Sequence, residues 1–60
     1  MLSDGERAVA AALTRGLSNA EIGAEIHVSV GTVKAYVSRI LTKLDLDNRI
    51  QIALLVHDTE

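Results

Sequence analysis

The sequence has no cysteine, no proline and a single aromatic residue, Tyr36, among its 60 residues. Without cysteine there is neither a disulfide framework nor a thiolate metal site, which fits a reducing cytoplasm. Hydrophobic residues make up 48% and are almost all aliphatic, which favours helices packed on helices over strands. No apolar run approaches the roughly 20 residues of a membrane span, and no signal-peptide pattern opens the chain. We therefore expect an all-α, cytoplasmic protein with no membrane partner.

The short length and the charge exclude further classes. Sixty residues suffice for one domain, so residues 1–60 are expected to form a single unit. No histidine, carboxylate and nucleophile come together at a usable spacing, so we expect no enzyme, and nothing indicates a metal or another cofactor. The formal net charge of −2 argues against nucleic-acid binding by the whole surface. It leaves room for one basic stripe, because salt screens distant charges.

Capping residues divide the chain into four predicted helices. Serine precedes each of the first three, and two of these serines have a glutamate three residues later, as in the capping box of Ser3 and Glu6. Asn48 precedes the fourth. The predicted helices of this four-helix bundle cover residues 4–15, 19–26, 30–44 and 49–57.

The residues between and within these helices predict the turns. Gly16 follows the first helix, and His27 and Asp45 follow the second and third. Glycine, histidine and aspartate enter the left-handed backbone region more readily than most residues, so each is expected to end its helix there. Gly23 lies inside the second helix, where glycine is costly unless another backbone comes close. We therefore expect the third helix to pack against Gly23.

The third predicted helix separates apolar from cationic residues. Its apolar residues recur every three or four positions, which is typical of one helix face: Val33, Val37, Ile40, Leu41 and Leu44. The opposite face carries small, hydroxyl and basic residues, with the last at its edge: Lys34, Ala35, Ser38, Arg39, Thr42 and Lys43. No acidic residue lies between Glu25 and Asp45. This segregation favours a face that enters the DNA major groove; an ordinary solvated face is the alternative.

A short helix, a tight turn and a long helix with an exposed polar stripe follow the helix-turn-helix plan. A major groove about 12 Å wide admits an α-helix. The starts of the second and third helices would then direct backbone N–H groups towards phosphates.

The last predicted helix is apolar on two sides. We expect Ile50, Ala53 and Leu54 to face the bundle. The other face is formed by Ile52, Leu55 and Val56. A bundle this small cannot bury both faces, so the second face is expected to form a homodimer interface about a two-fold axis. The alternative is that these three residues cover the bundle from a different angle.

The sequence resembles the LuxR/NarL-type (GerE-like) helix-turn-helix domain of bacterial response regulators. The resemblance covers residues 2 to 56 and lies in these segments: Leu2-Ser3, Glu6-Arg7, Arg15-Gly16-Leu17-Ser18-Asn19, Glu21-Ile22, Ser29, Thr32-Val33-Lys34, Val37-Ser38-Arg39-Ile40-Leu41, Lys43-Leu44 and Arg49. Sigma-factor region 4 is similar around its own helix-turn-helix but usually stops after the recognition helix. The last helix and Arg49 therefore favour the LuxR/NarL type.

The resemblance implies a function and partners. It implies sequence-specific binding of double-stranded DNA as the effector domain of a transcriptional regulator, commonly a two-component response regulator, with dimerisation through the last helix. Such a domain follows an N-terminal receiver or sensor domain, so we expect a domain excised from a longer regulator; a short free-standing regulator is the alternative. A sigma region 4-like domain, or a helical interaction module without DNA binding, are the competing functions.

The resemblance also assigns residues. Positions facing base edges are occupied by Lys34, Ala35 and Ser38. Positions near phosphates are occupied by Ser18, Asn19, Thr32, Tyr36, Arg39 and Lys43. Ser38 is smaller than the usual residue, so base recognition is expected to depend mainly on Lys34. Other roles stay open for three residues. Tyr36 would pack on the second helix, Lys43 would cap its own helix, and Arg49 would pair with an acid of the first helix, such as Glu6.

The sequence departs from the family's pattern at four further positions. Gly5 replaces a frequent arginine, and Gly23 replaces a common alanine. Tyr36 stands where histidine is frequent. Ile52 stands where alanine is frequent, which would enlarge the expected dimer surface.

Overall fold

The computed structural model describes the backbone of residues 2–59 and the side chains of residues 2–56. Within this part of the chain lie four helices and no strand: α1 (Asp4–Thr14), α2 (Asn19–Ile26), α3 (Val30–Leu44) and α4 (Arg49–Thr59). The predicted all-α class is confirmed. The bounds of α2 and α3 match the prediction, whereas α1 ends before Arg15, which caps it, and α4 continues to Thr59. None of the described helices has the length and apolar character to cross a bilayer.

The predicted caps begin the first three helices. At α1, Ser3 Oγ accepts from the Glu6 backbone N–H at 3.2 Å, and Glu6 Oε1 accepts from the Ser3 N–H at 2.8 Å. Ser18 and Glu21 form the same pair at α2, with the same two distances. Ser29 caps α3 through its hydroxyl alone. Each cap satisfies N–H groups that have no partner within the helix.

The turn residues adopt the expected left-handed backbone. Gly16 has φ of 73°, His27 of 63° and Asp45 of 55°. Each is the point where the chain leaves a helix, and the two non-glycine residues belong to the types that tolerate this region best. The turns after α2 and α3 are therefore set by single residues.

The core lies where α1 packs on α3 and α4 and where α2 packs on α3. Its buried members come from all four helices: Val9, Ala10, Ala12, Leu13, Ile22, Val33, Ile40 and Ile52. Gly23 is buried at the crossing of α2 with the turn that leads to α3. A Cβ added there would lie 2.6 Å from the Val28 carbonyl oxygen and 3.5 Å from Val33 Cγ2. The expected close approach at Gly23 is thus confirmed.

The orientation of α4 differs from the prediction at three residues, whereas Ala53 packs on the core and Leu55 is exposed as expected. Ile52 is fully buried in the core, so its assignment to a dimer interface is wrong. Ile50 and Leu54, expected to face the bundle, are instead 67% and 59% exposed. The physical reason is that α4 is apolar almost all round, so the period of its sequence does not indicate which side packs on α1. Ile52 and Val56, one turn apart, occupy the inner side.

Candidate nucleic-acid interface

The residues predicted to face base edges lie together on the solvent side of α3. Lys34, Ala35 and Ser38 are all exposed, whereas Val33 and Ile40 on the opposite side are fully buried. The expected amphipathic helix is therefore present. The described bundle leaves its cationic side open to solvent.

Small side chains occupy the middle of this open face. Gly31, Ala35, Ser38 and Thr42 are exposed and recur every three or four residues. Such a stripe lets another surface approach the helix backbone closely. Lys34 lies along one side of the stripe and forms no ion pair with a described residue. Its ammonium is therefore available to a ligand.

The acidic residues of α2 are bonded within the bundle. Glu21 accepts the Ser18 backbone N–H, and this bond lowers the pKa of its carboxyl. Glu25 accepts two hydrogen bonds from Arg15 Nη1, at 2.7 and 2.9 Å. Both acids are exposed. Glu21 is bonded at the start of α2 and Glu25 at the end of α1, and neither forms an ion pair with a cation of α3.

Tyr36 packs on the first turn of α1. A Cβ added to Gly5 would lie 2.8 Å from Tyr36 Oη and 2.9 Å from its Cζ. The tyrosine ring therefore covers the first turn of α1 where that helix has no side chain. The Arg39 guanidinium carbon lies 5.9 Å from the centroid of the same ring, within range of a cation–π interaction. Two of the departures from the family's pattern, Gly5 and Tyr36, are thus in contact.

Lys43 joins the end of α3 to the start of α1. Its Nζ donates to Glu6 Oε1 at 2.7 Å, and the glutamate side chain is only 3% exposed. The hydrogen bond from Lys43, followed by that from the Ser3 N–H, lowers the pKa of Glu6 to about 2. Glu6 is the one buried charged residue among those described. A buried carboxylate needs such a partner, because an unpaired charge is costly inside a protein.

Arg49 does not pair with Glu6, so that expectation is wrong. Its Nη1 donates to Asn19 Oδ1 at 2.6 Å and its Nη2 donates to the Leu17 carbonyl oxygen at 3.0 Å. The guanidinium therefore ties the first residue of α4 to the turn before α2. Asn19 was expected near a phosphate, and the pattern of the sequence gave no sign of this contact.

The outward side of α4 carries an apolar surface. Ile50, Leu54 and Leu55 are 67%, 59% and 42% exposed, and Val56 is half-buried against the core. Beside Ile50 opens a groove of about 270 Å³, whose walls come from α1, the following turn and α4: Leu13, Gly16, Leu17, Arg49, Ile50 and Ala53. Of the three predicted interface residues, Leu55 is the one that is well exposed.

Comparison with known proteins identifies the family. The family model GerE, described as bacterial regulatory proteins of the luxR family, matches residues 1–56. The transcriptional regulatory protein LiaR of Bacillus subtilis is 40% identical over 45 residues, which cover 75% of this chain and 21% of LiaR. The two-component response regulator PprB of Pseudomonas aeruginosa is 42% identical over 53 residues, which cover 88% of this chain and 19% of PprB.

A third relative gives the same result. The response regulator protein VraR of Staphylococcus aureus is 39% identical over 51 residues, covering 85% of this chain and 24% of VraR. The chain therefore spans about a fifth to a quarter of these relatives. Family membership supports a role in DNA-binding transcriptional regulation. In agreement with the resemblance read from its sequence, the chain belongs to the luxR family of bacterial regulatory proteins.

Proposed function

We propose that this protein binds specific double-stranded DNA as the effector domain of a bacterial transcriptional regulator. The observation that carries the proposal is the open side of α3, where Lys34 and a stripe of small residues face solvent opposite a buried apolar side. An α-helix fits the major groove, and lysine bonds to the O6 and N7 acceptors of guanine. Lys34 would contact base edges, with Ala35 and Ser38 beside it admitting the helix deeply.

The relatives extend the proposal to regulation. PprB and VraR are response regulators, and each is several times longer than this chain. We infer that a receiver or sensor domain controls the DNA-binding domain described here, as part of a two-component system in the cytoplasm. The last helix and the family match favour this assignment over a sigma region 4-like domain.

Phosphate contacts would surround the base-reading side. The candidates belong to the start of α2 and to α3: Ser18, Asn19, Thr32, Tyr36, Arg39 and Lys43. All are exposed or half-buried. Lys43 differs from the others because its ammonium already bonds to Glu6. Ser18 caps α2 with its hydroxyl, and capping is compatible with a phosphate nearby.

The test begins by recovering a duplex from a random DNA pool with the wild-type protein. Replacing Lys34 with alanine should cost roughly 1–3 kcal/mol on that duplex and relax the sequence preference, whereas Arg39→Ala should weaken binding to all duplexes alike. If both variants lose affinity equally on every sequence, Lys34 does not read a base. If no sequence is enriched, the proposed function is wrong.

The salt dependence measures how many cations meet phosphates. A dimer that uses only Arg39 would neutralise about two phosphates and give a log–log slope near −1.8; with Lys43 as well, the slope would be near −3.6. Titrations of the selected duplex at several salt concentrations, with wild type and Lys43→Met, distinguish the two.

We also propose that the protein binds DNA as a homodimer through α4. The support is the exposed apolar surface of Ile50, Leu54 and Leu55, since such a surface usually marks an interaction site. Leu54→Asp should abolish self-association in sedimentation experiments and weaken binding to a two-half-site duplex more than to a single half-site. Ala8→Asp, at an exposed position of α1, is the matched control. A strictly monomeric wild type on DNA would contradict the proposal.

A further inference from the structure

The contact between Arg49 and Asn19 fixes the orientation of an amide group. A guanidinium carries only hydrogen-bond donors, so it can bond to the oxygen of an asparagine amide and not to its nitrogen. Arg49 Nη1 donates to Asn19 Oδ1 at 2.6 Å. The amide nitrogen Nδ2, on the other branch of the group, therefore points away from Arg49.

This amide nitrogen has no hydrogen-bond partner among the described residues. Among the side chains and backbone groups that the structure describes, none accepts a hydrogen bond from Asn19 Nδ2. Asn19 is half-buried as the first residue of α2. Its two N–H donors remain available to an acceptor outside the bundle.

Arg49 is itself held in place by a second bond and by neutral partners only. Its Nη2 donates to the Leu17 carbonyl oxygen at 3.0 Å. No carboxylate among the described residues forms an ion pair with this guanidinium. Its charge is therefore not cancelled at close range, and a nearby anion would be attracted to this end of α2.

We propose that Arg49 is a positioning residue for DNA: it holds the Asn19 amide so that Nδ2 donates to an oxygen of a backbone phosphate. This inference rests on the proposed function, which brings the start of α2 to the duplex. Arg49 acts through Asn19. Because Arg49 is the first residue of α4, the helix of the proposed dimer surface also supports a phosphate contact.

A cycle of substitutions tests the connection on the duplex recovered from the random pool. Asn19→Ala should weaken binding about tenfold on all sequences, the lower end of what a hydrogen bond to a charged group contributes. Arg49→Met keeps an unbranched stem but no donor, and it should cause a similar loss. The double variant should bind no worse than either single variant, because both remove the same contact.

The substitution Asn19→Asp separates positioning from a merely structural role. A carboxylate still accepts from Arg49, so the melting temperature should stay the same or rise. It has no donor for a phosphate, so DNA affinity should fall at least as far as in Asn19→Ala. Asn48→Asp, which makes the same charge change at the exposed residue before α4, controls for net charge and should change affinity less than twofold.

A neutral methylphosphonate placed at one linkage at a time identifies the phosphate. At one linkage per half-site, the methylphosphonate should weaken DNA binding by the wild type but leave the affinity of Asn19→Ala unchanged. If Asn19→Asp binds DNA with the affinity of the wild type, the proposal is overturned. It is also overturned if the losses of affinity in the two single variants multiply in the double variant. Failure of the wild type to enrich any sequence overturns the proposed function and this assignment together, whereas the other two outcomes leave that function intact.

Discussion

Replacing Gly23 with alanine should destabilise the protein although it improves the helix. Alanine in a helix interior is more favourable than glycine by about 1 kcal/mol. The new Cβ, however, would lie 2.6 Å from the Val28 carbonyl oxygen, whereas a carbon and an oxygen in close contact are about 3.3 Å apart. The turn would have to withdraw by roughly 0.7 Å from α2, on the difference of these two distances.

The turn resists that shift because α2 holds it. The Val28 N–H donates to the Gly23 carbonyl oxygen at 2.9 Å, and the left-handed His27 just before it fixes the direction of the chain. Overpacking of this kind costs typically 1–3 kcal/mol. Taking the upper part of that range against the helix gain leaves a net loss of about 1–2 kcal/mol. In a domain of this size, this lowers the melting temperature by roughly 5–15 °C.

Thermal unfolding followed by circular dichroism measures the effect. Gly31→Ala is the matched control, because a Cβ there meets only Ser29 Oγ at 3.8 Å, so its melting temperature should stay the same or rise. Alanine is common at the position of Gly23 in the domains that the sequence resembles. The pair of variants therefore tests whether the turn at Val28 lies closer to α2 in this protein than in those domains. An equal increase of the melting temperature in Gly23→Ala and Gly31→Ala would refute the reasoning.

Three further predictions follow from the contacts of α1 and α4. The pKa of Glu6 is lowered from its usual value of 4.5 to about 2, so its contribution to stability is complete above pH 4.5 and is lost as the pH falls towards 2. Urea titrations across this window should show a smaller loss of stability in Glu6→Gln, and an unchanged pH profile in that variant would contradict the pairing with Lys43. Gly5→Ala should lower the melting temperature in the wild type but not in a Tyr36→Ala background, because the ring that the new Cβ meets is then absent. The same decrease in both backgrounds would contradict the contact between Gly5 and Tyr36. Ile52→Ala should cost about 2–5 kcal/mol in urea unfolding because the side chain is buried. Ile50→Ala should change stability by less than about 0.5 kcal/mol, and a larger loss at Ile50 than at Ile52 would mean that Ile50 faces the bundle, as the sequence predicted.

The helices and turns were predictable because their causes are local. A serine with a glutamate three residues later begins a helix whatever packs against it, and His27 and Asp45 end theirs through their own backbone preference. The amphipathic pattern of α3 also identified its buried side, since Val33 and Ile40 are fully buried.

The contacts between distant residues could not be read from spacing. Lys43 meets Glu6 across 37 positions and Arg49 meets Asn19 across 30. One signal existed: Glu6 lies on the same helical stripe as Val9 and must therefore be buried and paired. The sequence does not indicate which cation reaches it. The orientation of α4 was likewise undetermined, because its apolar residues surround the helix.

A single carboxylate serves two helix ends that are far apart in the chain. Glu6 accepts from the Ser3 N–H at the beginning of α1 and from Lys43 near the end of α3. Fraying of one terminus therefore removes a bond from the other, and the two ends should open as one cooperative unit in hydrogen exchange. The helix proposed to enter DNA is in this way kept whole at its far end by the first turn of the protein.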